Sequence, residues 1–318
     1  MNVSESEAGS TCPMDEMVWN QEYEEEKIAF AITAIILNIL SFPVTIVMNV
    51  LVIMAVKTRP RLQSKYNILL ACLAGTDLLV GAASQPCYIV GQIFVIKGIA
   101  LSEYCAYHKL TNLLVLGPIF ASVLHLTLIS IERFVALKYT FRYTTIVSGL
   151  RLKIAVFSSW VFAFSPAILR SLSEKLEFIS AVVAVVVLFL NILLIVFCHL
   201  SVYFVTRRHE KQIKCEQVSL QAAADFAKEK KALKTTRIII VALLFCIFPL
   251  LMYVFLWFVF FKGSSYTGNV IVLSHPVFIW LSSLNSLCNP IIYCYRNKMM
   301  RKTCQELLRM KCTNFNED

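Results

Sequence analysis

A few oxygen-bearing side chains interrupt otherwise apolar stretches of this sequence, and together they could bind a cation. Asp77 supplies a carboxylate, and hydroxyl or amide oxygens come from Ser122, Asn285, Ser286 and Asn289. On a helix, positions 285 and 289 lie one turn apart on one face, with position 286 beside them. Such oxygens suit a hard monovalent cation such as sodium, or ordered water. The alternative is a hydrogen-bonded network that only fixes helix packing.

The adjacent pair Glu132-Arg133 is a second candidate site, because it follows a run without charge from 110 to 131. An ionisable group buried in a membrane without a partner is costly, so such groups commonly have a function. Glu229 lies at a matching depth near the inner end of a later apolar stretch. We expect Arg133 and Glu229 to pair and hold two inner helix ends together. Alternatively, the Arg133 side chain only reaches along the helix so that its guanidinium lies at the polar edge of the membrane.

Two prolines predict hinges close to these polar groups. Pro290 follows Asn289 directly and deprives its helix of one backbone hydrogen bond, with Tyr293 one turn nearer the cytosol. Pro249 supplies a second hinge, twenty residues after Glu229. A hinge beside a polar cluster is a natural moving part.

Membrane-spanning helices must position these groups, because the composition lies outside the range of a soluble globular domain. The 318 residues are 58% hydrophobic and 16% charged, with a mean hydropathy of +0.69. Apolar runs of about 20 residues or more can cross a hydrocarbon core of about 30 Å, and they lack the alternation of barrel strands. We predict an all-α membrane protein, a seven-transmembrane helix bundle with a short amphipathic eighth helix. The predicted spans are 28–56, 66–96, 105–137, 152–172, 178–206, 235–261 and 269–295.

The basic residues orient this bundle, because cytoplasmic loops retain Lys and Arg. Most of the 30 Lys and Arg residues lie in 57–65, 133–153, 207–237 and 296–318. We therefore predict a multi-pass plasma-membrane protein with an extracellular N-terminus and a cytoplasmic C-terminus. The net charge of +10 reflects this topology and some attraction to membrane lipid, and it gives no support to a nucleic-acid partner. The predicted parts are an extracellular acidic N-terminal tail (1–27), the seven-transmembrane bundle (28–295), and a cytoplasmic amphipathic helix and tail (296–318).

Three kinds of covalent modification are predicted at the two membrane faces. Asn2 begins a glycosylation sequon on the outer side. Cys12 and Cys105 could face the oxidising side and form a disulfide, although the sequence does not settle their pairing. On the inner side, Cys304 and Cys312 are candidates for palmitoylation, with unmodified thiols as the alternative.

A set of motifs in the expected spans and order makes this chain resemble the rhodopsin-like (class A) G-protein-coupled receptors. The resemblance covers essentially all of 28–312. The motifs are Asn49, Leu73-Ala74 with Asp77, Glu132-Arg133-Phe134, Trp160, Tyr203, Pro249, and Asn289-Pro290 with Tyr293.

The resemblance implies a function and roles for these residues. The chain is expected to transduce an extracellular ligand into activation of a heterotrimeric G protein, with arrestin as a further partner. The oxygen cluster at Asp77 is expected to hold an allosteric sodium ion, and no other cofactor is expected. Phe141 in the second inner loop is expected to contact the G protein together with Arg133. The implied activation switch comprises Glu132, Arg133, Glu229, Tyr203, Pro249, Asn289, Pro290 and Tyr293.

The chain also departs from the family pattern. By spacing from Arg133, His108 occupies the position where most of the family has the cysteine of its outer-loop disulfide. The second outer loop, about 170–178, is short and has no cysteine. These features and the second inner loop resemble the melanocortin and adenosine receptors. The acidic pocket residues expected of a melanocortin receptor are replaced by Cys87, His108 and Asn112.

The residues expected to line the bore predict a neutral, lipid-like or peptide ligand. The aspartate of amine receptors would fall at Val115 and the lysine of retinal pigments at Ser283, so neither ligand is expected. An apolar bore favours a largely apolar ligand, although some of these residues could face neighbouring helices instead. The candidate ligand residues are His108, Asn112, Val115, Ile119, Val187, Leu250, Val254 and His275.

Two other kinds of protein are alternatives. A seven-helix decoy or scaffold receptor would bind without signalling, but the intact switch residues argue against it. A small transporter would need internal repeats and broken helices, and the sequence shows no repeat. An enzyme is not expected, because no nucleophile and base or metal-binding set converges in the sequence.

Overall fold

The computed structural model describes residues 24–98, 101–172, 174–215 and 273–314, which are almost entirely helical. A π-helical turn, Val80–Ser84, joins the helices Lys65–Leu79 (α2) and Gln85–Lys97 (α3) into one span. The sixth predicted span, 235–261, lies outside the described residues. The helices are α1 (Glu24–Thr58), α2 (Lys65–Leu79), α3 (Gln85–Lys97), α4 (Leu101–Lys138), α5 (Tyr143–Ile146), α6 (Gly149–Leu172), α7 (Glu174–Cys215), α8 (His275–Arg296) and α9 (Lys298–Asn314).

The long helices match the predicted membrane spans. Within the described ranges, five segments are long and apolar enough to cross a membrane, and the bent pair 140–146 and 149–166 adds a sixth if it is one span. The first five predicted spans each lie inside an observed helix or, for 66–96, inside the α2–α3 unit. Helix α8 begins at His275 with Pro276 in its first turn, where the missing proline N–H is not needed.

The C-terminal end of α1 is tied to α9 by a small apolar cluster. A 3-10 turn, Pro60–Leu62, follows α1 and buries Leu62 against Leu51, Met300 and Cys304. The side chain of Asn297 accepts hydrogen bonds from the backbone N–H groups of Met299 and Met300, so it caps the start of α9. Helix α9 is therefore held beside the turn that follows α1.

Helix α4 packs closely against α6 through a glycine. A Cβ atom placed on Gly117 would lie 2.5 Å from the ring of Phe164, which stacks on Trp160. The ring of Trp160 in turn meets the edge of buried His125 on α4. This contact fixes the helix that carries both Ser122 and Arg133.

Candidate functional site

The predicted oxygen cluster forms around Asp77, which has no solvent exposure. The hydroxyls of Ser122 and Ser286 donate to Oδ1 of Asp77 over 3.0 and 2.8 Å, and the amide of Asn289 donates to Oδ2 over 2.8 Å. These bonds join the α2 carboxylate to α4 and α8. Asn285 is buried nearby on α8, but its side chain makes no hydrogen bond to Asp77 in the described structure.

Asn49 extends this network to α1. Its amide group donates to the carbonyl oxygens of Thr45 and Ser286, over 2.9 and 3.0 Å. The Oδ1 atoms of Asn49 and Asn289 are buried, and neither has a hydrogen-bond partner among the residues described. Unpaired buried acceptors are costly, so these oxygens can serve as ligands for a cation or water.

The residues present fit a sodium ion. Asp77 provides the negative charge, and the hydroxyls of Ser122 and Ser286 with the amide oxygen of Asn289 provide neutral oxygens without further charge. In the described ranges, no group of three His, Cys, Asp or Glu side chains could hold another metal.

Arg133 is held by its neighbour Glu132, which the sequence indicated, and by Tyr66, which the sequence analysis did not single out. Its Nε atom lies 3.0 Å from Oε2 of buried Glu132, in an ion pair without the alignment of a hydrogen bond. The other carboxylate oxygen of Glu132 accepts a 2.6 Å hydrogen bond from the hydroxyl of Tyr143. The guanidinium carbon of Arg133 lies 3.4 Å from the ring centroid of Tyr66, a close cation–π contact.

A second cation shares the ring of Tyr66. The guanidinium carbon of Arg296, at the end of α8, lies 4.9 Å from the same ring centroid, and Arg296 donates a hydrogen bond to the Tyr66 hydroxyl. The ring therefore joins the N-terminal end of α2 to the C-terminal ends of α4 and α8. Helical spacing could have indicated which face of α2 carries Tyr66, because Tyr66 lies eleven residues, about three helical turns, before Asp77 and therefore on the same face.

An apolar layer separates the Asp77 cluster from Arg133. Tyr293 is buried in it with Leu73, Leu126 and Ile195, from three other helices. The Tyr293 hydroxyl is also buried and has no hydrogen-bond partner within the described part of the chain. A movement of α8 at Pro290 would shift this tyrosine directly.

The remaining switch residues are placed unevenly. Phe141, in the connection between α4 and α5, is fully exposed. Tyr203 on α7 accepts a 3.1 Å hydrogen bond from Arg207. Glu229 and Pro249 lie outside the described residues, so their pairing and hinge remain predictions.

The predicted bore residues fall into two groups. Val115 and Ile119 are buried together against Tyr88 and Ile279, in an apolar cluster between α3, α4 and α8. Val187 was predicted to join them; its side chain is 39% exposed, and its place in the bore stays a prediction. The next residue, Leu188, packs on Val123 of α4. Successive residues differ by about 100° around a helix axis, so Val187 points in a different direction from Leu188.

The mouth of the bore is described only in part. The Nδ1 atom of His275 lies 3.5 Å from the hydroxyl of Tyr88. Leu250, Val254 and the side chains of His108 and Asn112 lie outside the described structure.

The modification sites are described in part. Cys304 is buried. Its contact with Cys294 raises the pKa of the Cys304 thiol, and burial adds to this effect. Because an acyl group must reach the sulfur, the buried Cys304 is poorly accessible in this structure, and palmitoylation of Cys304 and Cys312 stays a prediction. Asn2, Cys12 and the side chains of Cys105 and Cys312 lie outside the description.

The family profile described as "7 transmembrane receptor (rhodopsin family)" matches residues 48–293. That range runs from the middle of α1 to Tyr293 and contains the Asp77 cluster and the Arg133 contacts. The chain therefore belongs to the rhodopsin family of seven-transmembrane receptors, and it is a G-protein-coupled receptor rather than an enzyme.

Individual receptors are similar along most of their length. The histamine H2 receptor of Rattus norvegicus is 25% identical over 292 residues, covering 86% of this chain and 78% of that receptor. The adenosine receptor A3 of Ovis aries is 26% identical, and the match covers 88% of this chain and 90% of that receptor. The trace amine-associated receptor 1 of Macaca mulatta is 26% identical, and the match covers 83% of this chain and 84% of that receptor.

Proposed function

We propose that this receptor responds to an extracellular, largely apolar ligand by activating a heterotrimeric G protein from the inner leaflet of the plasma membrane. The N-terminus lies outside and the C-terminus inside, as the distribution of basic residues supports. The observation that carries the proposal is the restrained Arg133, which pairs with Glu132 and contacts the ring of Tyr66.

The resting state is maintained by the contacts of Arg133. A conformational equilibrium responds to a ligand only through interactions that differ between the two states. The contacts of Arg133 with Glu132 and Tyr66, and the pair with Glu229 that we propose from its depth in the sequence, belong to the resting state and are given up when the inner helix ends separate. Arg133 and Phe141 then contact the G protein, and arrestin competes for the same inner face.

Sodium binding at Asp77 stabilises the same resting state. Ser122, Ser286 and Asn289 contact the carboxylate directly, and Asn285 lies beside them. Pro290 follows Asn289, so bending at that proline pulls the α8 oxygens away from α2 and α4. Sodium and the activating ligand are therefore expected to oppose each other by the same factor.

The ligand is neutral, lipid-like or a peptide with an apolar end. Val115 occupies the place where amine receptors carry an aspartate, and it is buried against Ile119 and Ile279. A protonated amine there would lose its hydration without gaining a charge partner, which is costly. Relatives named for histamine, trace amines and adenosine share the fold, but this chain has no acid at position 115 to bind an amine.

The test is guanine-nucleotide exchange in membranes that contain the receptor and a defined heterotrimer. Neutral lipids, apolar peptides and amines are screened on the wild type and on Arg133→Ala at equal surface density. We expect exchange to rise with a neutral or apolar compound in the wild type and not in Arg133→Ala. A compound that binds the wild type without raising exchange for any G-protein class would favour a decoy receptor.

A further inference from the structure

Two thiols meet where α8 ends and α9 begins. Cys294 and Cys304 are both free cysteines, and their Sγ atoms lie 3.8 Å apart, close to van der Waals contact. The proposed ligand bore, the Asp77 cluster and the contacts of Arg133 use neither residue. The pair is therefore a separate place for chemistry between two sulfur atoms.

The local fold explains why the two thiols meet. The backbone leaves the helical conformation at Asn297, with φ −104° and ψ 104°, so the chain turns between α8 and α9. Cys304 lies four residues after Met300, and both are buried in the apolar cluster that includes Leu51 of α1. Cys294, in the last turn of α8, packs against the same cluster. The sulfur atoms need to approach each other by less than about 2 Å to form a disulfide.

The two thiols differ in their exposure. Cys304 is only 6% exposed, whereas Cys294 is half-buried. Cysteines that respond to oxidants are accessible, and a second thiol beside them commonly completes the disulfide. Cys294 fits the first of these roles, and Cys304 fits the second.

We propose that Cys294 and Cys304 form a reversible disulfide when they meet a hydroperoxide. The Cys294 thiolate attacks one oxygen of hydrogen peroxide, the O–O bond breaks, and Cys294 becomes a sulfenic acid as one water leaves. The Cys304 sulfur then attacks the sulfenic sulfur and expels its oxygen, which leaves with the Cys304 proton as a second water. Two thiols and one peroxide thus give one disulfide and two waters. At the proposed cytoplasmic face, two glutathione thiols reduce the bond and become oxidised to glutathione disulfide, so the bond is transient.

The disulfide adds a covalent link between α8 and α9. Tyr293 precedes Cys294 directly and Pro290 lies one turn earlier, so the link holds the end of α8 beyond its proline hinge. This consequence rests on the proposed function. Oxidation is expected to lower ligand-free nucleotide exchange in the wild type and to have no effect on exchange in Cys304→Ala.

The test of the bond itself is peptide mass spectrometry of the purified full-length receptor, after brief exposure to hydrogen peroxide and alkylation of the remaining thiols. Trypsin cleaves after Arg296 and Lys302, so a bond between Cys294 and Cys304 links two peptides. We expect the linked pair in the wild type and its complete loss on reduction. Cys288→Ala is the matched control, because Cys288 lies in the same tryptic peptide as Cys294. It is expected to keep the linked pair, whereas Cys294→Ala is expected to lose it.

Cys304→Ala tests the order of the two steps. Without the second thiol, Cys294 is expected to remain a sulfenic acid that dimedone captures, and this capture is expected to be much weaker in the wild type. A variant that only unfolded would also expose its other thiols to dimedone.

Three results would overturn the proposal: no linked pair in the peroxide-treated wild type, a bond from Cys294 to a cysteine other than Cys304, or an acyl group on Cys304 in receptor isolated from membranes. A receptor that forms the linked pair but shows no nucleotide exchange in any state would contradict the proposed function and support the disulfide. The two proposals therefore fail separately.

Discussion

The guanidinium carbon of Arg133 lies 3.4 Å from the ring centroid of Tyr66. This contact predicts that the ring, rather than the hydroxyl, restrains the resting state. Removing a cation–π contact of about 1 kcal/mol in Tyr66→Ala is expected to raise ligand-free nucleotide exchange about fivefold. Tyr66→Phe keeps the ring and loses only the hydrogen bond from Arg296, so its exchange is expected to stay near the wild-type value. Equal exchange in the two variants would contradict this role.

The Asp77 cluster predicts a sodium-dependent resting state. Ligand-free exchange by the wild type is expected to be lower in sodium than in an equal concentration of a large organic cation. Asp77→Asn keeps the shape of the side chain and removes its charge, so exchange is expected to become independent of the cation. Ser286→Ala is expected to weaken the effect more than Asn285→Ala, because only Ser286 contacts Asp77. Equal exchange in the two salts for the wild type would show that the cluster is only structural.

The bore predicts the class of ligand. Small protonated amines, histamine included, are expected to leave nucleotide exchange at its basal level, because Val115 offers no charge partner. Neutral lipids and peptides with an apolar end are the compounds expected to raise it. Activation by a primary amine, with a potency that no acidic residue near the bore affects, would reject this prediction.

The glycine contact between α4 and α6 predicts a local loss of stability. In Gly117→Ala the new methyl group would meet Phe164 at 2.5 Å, and overpacking of this kind costs about 1–3 kcal/mol. Gly75→Ala is the matched control, because a Cβ atom there meets nothing within 4 Å. Thermal unfolding of the two purified variants should show a lower midpoint only for Gly117→Ala. Equal midpoints would mean that Phe164 moves aside without cost.

The oxygen cluster was largely predictable because its members interrupt apolar runs and helical periodicity relates positions 285, 286 and 289. Ser122, Ser286 and Asn289 contact Asp77 as expected. Asn285 shares a face with Asn289 but lies about 6 Å further along the helix axis, and this distance takes it out of reach.

The contacts of Arg133 were less predictable. A tyrosine such as Tyr66 near the end of a span is typical of a membrane-interface anchor, and its position opposite Arg133 depends on the register between α2 and α4. That register is set by packing along the whole helix pair, which no local pattern encodes.

Ligand-free nucleotide exchange in membranes tests most directly whether this chain is a signalling receptor restrained at Arg133. Glu229→Ala is compared with Asp225→Ala, which removes an equal charge four residues earlier, at matched surface density. We predict that Glu229→Ala raises exchange severalfold, that Asp225→Ala does not, and that adding Phe141→Ala to Glu229→Ala returns exchange to background. Exchange equal to that of receptor-free membranes in every variant, for every class of G protein, would contradict the account.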